Sequence, residues 1–208
     1  MVKILGLSSS PRKAGTHYAV EQALIGARLV KGVETQFISL RNKTITPCIH
    51  CEHCLRTGTC VFEDDATEII QAFFDADGII VGSPVYDMTY NAQLACLFNR
   101  FRSRSLDLHQ TIRPFGHKVG GAIAVGGSRN GGQELAVTNI LNFFLSQGMI
   151  VLGGERWENA GSYFFSNDKK RWDVDHDPSA TQTAIHLGNR VASLATVIKH
   201  NPTDIVLK

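Results

Sequence analysis

The chain has 208 residues, 43% of them apolar, and its 21 Lys and Arg against 19 Asp and Glu leave a formal charge of only +2. That length buries one good core but hardly two, which excludes a multi-domain array and predicts a single α/β domain over residues 1–208 with one functional insertion at 41–64. So even a charge balance excludes any argument for a polyanion from net charge, and no helix-turn-helix or comparable module suggests nucleic acid. The opening Met1-Val2-Lys3-Ile4-Leu5-Gly6-Leu7 is too short for a secretory signal and no apolar run reaches membrane-spanning length, so a cytoplasmic protein with no membrane partner is expected.

Val2 to Leu7 reads as a first strand, followed by a polar Ser/Pro/Gly segment with Thr16 as the expected helix N-cap. Val20, Ala23, Leu24, Ala27 and Val30 then recur at helical spacing. Glu34 to Leu40 reads as a second strand. The pattern is interrupted from Arg41 to Cys60, and a second helix is expected from Asp65. The third strand, Asp77 to Gly82, does not alternate, which predicts burial on both faces. It is expected to break at Ser83-Pro84, before a helix from about Asn91. A fourth strand spans Val119 to Val125 and runs into a glycine-rich loop, with a helix from Gln133 to about Gln147. Met149 to Leu152 makes a short fifth strand, and after a long loop Asp177-Pro178 opens a final helix to about His200. Strands alternating with helices predict a doubly wound parallel sheet, whose ligand crevice lies at the carboxyl ends of the strands.

Three loops fall at those ends. Ser8-Ser9-Ser10-Pro11-Arg12-Lys13-Ala14-Gly15-Thr16 offers hydroxyls, backbone N–H groups and a guanidinium to an anion at a helix N-terminus. It has neither the Walker nor the dinucleotide glycine spacing, which favours a monophosphate; a polar turn with no ligand fits the same pattern. Gly82-Ser83-Pro84-Val85-Tyr86 and Gly126-Gly127-Ser128-Arg129-Asn130-Gly131-Gly132 converge on the same crevice, where glycines allow close approach to an aromatic plane. With these three motifs the chain resembles the flavin-dependent members of the flavodoxin-like fold, in particular the NADPH-dependent FMN reductase superfamily. The resemblance implies a five-stranded sheet of order 2-1-3-4-5 and FMN as cofactor. It places the FMN phosphate at Ser8, Ser10, Arg12, Gly15 and Thr16, and the ring edge at Pro84, Val85 and Tyr86. The ring face goes to Gly126, Gly127, Arg129, Asn130, Gly131, Gly132, Gln133 and Glu134.

The insertion carries Cys48, Cys51, Cys54 and Cys60, spaced C-x2-C-x2-C-x5-C. In a reducing compartment such a cluster points to ligation rather than disulfides, and three thiolates this close can hold successive corners of a cubane while Gly58 helps return the fourth. Structural zinc, with His50 and His53 in support, is the rival, although zinc knuckles are usually further apart. Cys96 reads as a core residue. Together with the flavin motifs, this loop is similar to that of the iron–sulfur flavoprotein family. The resemblance implies one FMN and one 4Fe-4S cluster per protomer, ligated by Cys48, Cys51, Cys54 and Cys60, in homodimers or homotetramers. It also implies electrons arriving from a ferredoxin-like carrier and leaving to a small acceptor such as dioxygen, peroxide or a quinone.

Arg100, Arg102, Arg104 and Arg113 form a basic stretch suited to an acidic carrier, or simply a solvated face. Trp157, Tyr163, Phe164 and Phe165 suit an interface or a cover over the flavin. Two alternatives stay open: an NAD(P)H-dependent flavin or quinone reductase with a zinc loop, and a redox-sensing regulator.

Overall fold

The computed structural model describes residues 1–104, 114–166 and 177–201. In chain order the strands are β1 (Val2–Ser8), β2 (Val33–Ser39), β3 (Gly78–Tyr86), β4 (Thr89–Tyr90), β5 (Val119–Gly126), β6 (Ile150–Val151) and β7 (Ser162–Phe165). Among the described residues the helices are α1 (Gly15–Arg28), α2 (His53–Thr57), α3 (Ala66–Asp75), α4 (Ala92–Arg100), α5 (Gln133–Ser146) and α6 (Pro178–His200), with a 3-10 turn at Phe101–Arg104.

The apolar runs of β1, β3 and β5 are buried on both faces, as their lack of alternation requires. Alternate residues nonetheless part to opposite layers. Ile79 and Val81 join Phe73, Leu97 and Phe144 of α3, α4 and α5. Ile80, between them, joins Ala23, Leu24, Leu187 and Val191 of α1 and α6. The parallel order β2-β1-β3-β5-β6 is the flavodoxin-like 2-1-3-4-5 order expected, β5 and β6 being its fourth and fifth strands.

Four local expectations are corrected. The fifth position is shared: β6 pairs with Val119 and Gly120, and β7 pairs with Ile123 to Gly126 after the chain loops out between them. β3 does not break at Ser83-Pro84 but pairs on to Pro84↔Val125 and turns into a hairpin with β4. Asp87 and Met88, at φ 47 and 68, make that two-residue turn, whose positive φ at both positions is the type I′ requirement usually met by Asn or Gly. Thr16 is not the cap of α1: the N-cap is Ala14, two residues earlier, and no side chain bonds there. A short helix, α2, lies within the cysteine segment. Asp177 does cap α6, accepting from the Ala180 N–H at 3.1 Å.

α1 and α6 touch backbone to backbone. A Cβ on Gly188 would overlap the Ala23 carbonyl, and one on Gly26 the Ile185 carbonyl. Gly188→Ala should therefore destabilise by about 3 kcal/mol through overpacking, outweighing the ~1 kcal/mol gained in helix propensity; urea unfolding followed by circular dichroism measures the difference. No helix among the described residues is long and apolar enough to cross a membrane.

Candidate functional site

At the strand ends, where the fold places its ligand crevice, three loops are locked to one another. β1 delivers Ser8, Ser9 and Ser10 buried, and the Ser9 N–H bonds the Gly82 carbonyl at 2.9 Å. Asn91, 3% exposed at the N-cap of α4, accepts from the Ser9 hydroxyl at 2.7 Å and donates to the Ser9 carbonyl at 2.8 Å. Its own N–H donates to the Ser83 hydroxyl at 3.1 Å. One amide thus ties the first loop to the second. The third loop is closed from within by Gln133, whose Oε1 accepts from Gly131 N–H and whose Nε2 donates to the Ser128 carbonyl, both at 2.7 Å. Gly132, at φ 101, lies so close to the hairpin that a Cβ there would meet Met88 at 2.9 Å and Val85 at 3.2 Å. The first turn of α1 has no side-chain cap, so its amides face the first loop without an intrahelical acceptor.

The second locus is the cysteine loop. Cys48, Cys51, Cys54 and Cys60 all line one pocket, with Phe62, Arg100 and Arg102 in its wall. Left-handed His50 (φ 56) and Glu52 (φ 59) turn the chain between the first three cysteines, and Gly58 (φ 75) ends α2 and returns it toward Cys60. Two such non-glycine residues store about 1–3 kcal/mol of strain each, the kind of strain found at ligand clamps. Backbone N–H groups of His50 and Phe62 donate to the sulfurs of Cys48 and Cys60 at 3.4 and 3.5 Å. The Cys54 thiol donates to the Arg102 carbonyl at 3.4 Å, a bond that only the protonated form can make.

The neck of this loop is pinned by charge. Arg100 is 1% and Asp64 6% exposed at the side chain, and they pair at 2.7 Å. Arg100 also donates to the Thr46 carbonyl at 2.9 Å and the Phe62 carbonyl at 3.3 Å, and Asp64 accepts from Thr46 and Ala66 N–H. Burial pushes the Asp64 carboxyl up, but the Arg100 hydrogen bond, those two amides and the Arg100 charge hold it below the usual carboxylate range. Lys43 and the Thr44 N–H hold Asp65 below it too, and Asp65 in turn raises Lys43.

Comparison with known proteins decides the family. Residues 2–161 match the family described as NADPH-dependent FMN reductase. An iron–sulfur flavoprotein of Methanocaldococcus jannaschii is 41% identical over 95% of this chain and 100% of its own. The chain belongs to the iron–sulfur flavoproteins of the NADPH-dependent FMN reductase family. Its fold is matched by RosB, solved with bound 8-demethyl-8-formylriboflavin-5'-phosphate, at TM-score 0.72 and 15% identity over 97% of this chain and 82% of that one. A WrbA-like flavodoxin from Agrobacterium tumefaciens matches at TM-score 0.62 and 17% identity over 95% and 99%. This iron–sulfur flavoprotein is a flavin-dependent oxidoreductase.

Both cofactor groups implied by the family fit the residues present. Among the described residues, two buried side-chain polar atoms have no hydrogen-bond partner, Ser8 Oγ and Arg100 Nε. One lies at the phosphate-loop end of the crevice and the other in the wall of the cysteine pocket. A buried polar atom left unpaired costs about 1–3 kcal/mol, so a group bound at either locus would offset that cost. All five cysteines are free of disulfides. No three His, Cys, Asp or Glu side chains among the described residues converge on a single metal ion, whereas a cubane is held one thiolate to each iron corner.

The structure brings the expected flavin residues together in three loops, with differences of role. Ser10 accepts from the Arg12 N–H at 3.1 Å, and the Gln133 amide holds its own loop rather than standing free in the crevice. Tyr86 is 45% exposed beside Met88, and Arg129 stacks on Phe165 at 5.0 Å. The basic stretch is corrected: Arg100 is buried, Arg104 bonds Gln71 and stacks on Phe74 at 4.4 Å, and Arg113 lies outside the described residues. Phe164 belongs to the core at 0% exposure, while Trp157 stands out at 90%. Cys96 is half-buried rather than fully buried. Sequence reasoning missed Asn91, Asp64 and Arg100 as site residues, because their partners lie eight to 82 residues away.

Proposed function

We propose that this chain holds one FMN in the strand-end crevice and one 4Fe-4S cluster on Cys48, Cys51, Cys54 and Cys60, and conducts electrons between a one-electron carrier and a small acceptor. The observation that carries this reading is the pairing just described: the two buried orphan atoms fall one at each locus. The phosphate is assigned to Ser8, Ser10, Arg12 and the amides of Gly15 and Thr16 at the uncapped N-terminus of α1. The ring edge is assigned to Pro84, Val85 and Tyr86, and its face to Gly126, Gly127, Arg129, Asn130, Gly131, Gly132, Gln133 and Glu134. When both are bound, the cluster supplies single electrons and the flavin one or two, which converts between carriers and two-electron chemistry.

One helix joins the loci. Asn91 caps α4 at the crevice and Arg100 ends it at the cysteine pocket, a rigid strut of about 13 Å at 1.5 Å per residue. Ile49, Leu55 and Val61 on the cysteine loop and Tyr86 and Met88 on the hairpin are exposed apolar residues of the sort subunit contact covers, which supports a homodimer or homotetramer. A ferredoxin-like carrier is the proposed donor, and dioxygen, peroxide or a quinone the acceptor. A cytoplasmic location suits five free thiols.

The family description favours a second reading, direct reduction by NADPH. Anaerobic stopped-flow mixing separates the two. Reduced ferredoxin is expected to bleach the protein about 100-fold faster than NADPH at equal concentration, whereas faster bleaching by NADPH would establish the reductase reading.

A further inference from the structure

We propose that Arg100 is a potential-setting donor to the iron–sulfur cluster, its Nε–H directed to a cluster sulfur while the rest of its guanidinium staples the loop. This rests on the cluster reading above. The side chain is 1% exposed and forms part of the wall that the four cysteines also line. One terminal nitrogen donates to Thr46 O at 2.9 Å and to Asp64 at 2.7 Å, and the other to Phe62 O at 3.3 Å. These bonds account for holding the neck, and they leave Nε–H, buried and without a partner. A neck staple alone does not require a guanidinium whose inner N–H is buried and unpaired. Asp64, which neutralises the charge, does not line the pocket, so the donor is the nearer of the two to anything bound there.

The backbone N–H groups of His50 and Phe62 already donate to two of the four ligand sulfurs. Hydrogen bonds to cluster sulfurs favour the more negative, reduced state and so raise the potential. Reduction adds one electron from the carrier and makes or breaks no bond, and the proton stays on Nε throughout. Arg100 thus acts on the electron equilibrium as well as on the fold.

Arg100→Lys removes the inner N–H while keeping the charge. Lysine places a methylene where arginine has Nε and keeps a cation beside Asp64. Spectroelectrochemical titration of the loaded variant should show the cluster's equilibrium shifted about tenfold toward the oxidised state, a fall of about 59 mV for a one-electron couple. The flavin potential should stay as in the native protein, with the iron–sulfur stretching bands in resonance Raman displaced. A loaded Arg100→Lys protein with unchanged cluster potential and bands overturns the inference and leaves Arg100 a staple. Should the variant not take up iron, pulsed EPR of the reduced Arg102→Lys protein, made with 15N-arginine, is read instead. Coupling of the cluster to an arginine nitrogen supports the inference and its absence overturns it. Iron and acid-labile sulfide analysis of the native protein comes first, and their absence would sink the cluster reading itself rather than this inference.

Discussion

Asp64→Asn lowers the unfolding free energy by about 3–5 kcal/mol at pH 7, because it leaves the buried Arg100 cation uncompensated. The native pair is 2.7 Å long with both side chains buried, and Thr46 O, Phe62 O and two backbone amides complete it. Replacing both partners, as in Arg100→Met with Asp64→Asn, should recover most of the loss, since no lone charge then remains. The pH dependence has a defined sign. The Asp64 carboxyl is lowered in the fold, so its contribution is full above the unfolded value of about 3.9 and is lost as pH falls through the folded one. Native protein and Asp64→Asn should therefore converge in stability on acidification below pH ~4. Urea titrations across pH 3–7 read both effects. A variant as stable as the native protein at pH 7 would show that the loop neck does not depend on this pair.

Asn91→Ala weakens FMN binding by about 10–100-fold and stability by about 2–4 kcal/mol. It leaves the Ser9 hydroxyl and carbonyl, now bonded at 2.7 and 2.8 Å, buried without partners, and it removes the side-chain ties between the first crevice loop and the start of α4 while the Ser9 N–H bond to Gly82 stays. Asn91→Asp keeps the acceptor for the Ser9 hydroxyl but sets a carboxylate against the Ser9 carbonyl, so it should rescue little. Quenching of flavin fluorescence on titrating apoprotein measures the affinity. Unchanged affinity in a destabilised Asn91→Ala protein would confine this residue to the fold.

What was legible in the sequence was what neighbours along the chain determine. The central strands are continuous apolar runs whose burial follows from composition, and the cysteine spacing is local, so the sheet order and the gathering of four thiols around one pocket both agree with expectation. Features that depend on distant partners were hidden. Arg100 reads as one more surface arginine until Asp64, 36 residues earlier, is set beside it in the interior. Ser83-Pro84 reads as a break because proline usually ends strands, but β5 pairs on to that point and the Asp87-Met88 turn carries the chain back. Thr16 has the chemistry of a cap yet lies buried in the first turn of α1, whose start is uncapped where the phosphate is proposed. Ser162–Phe165 reads as an aromatic loop, because a four-residue edge strand is recognised only by the β5 register it completes.

The central claim, two redox centres on one chain, is tested most directly by iron, acid-labile sulfide and flavin analysis of anaerobically purified protein and its Cys54→Ala variant. The account predicts about four iron and four sulfide per FMN in the native protein, with cluster absorbance lost and flavin retained in the variant. Zinc without sulfide in the native protein would contradict it, and would make the cysteine loop a structural clip on a flavin reductase.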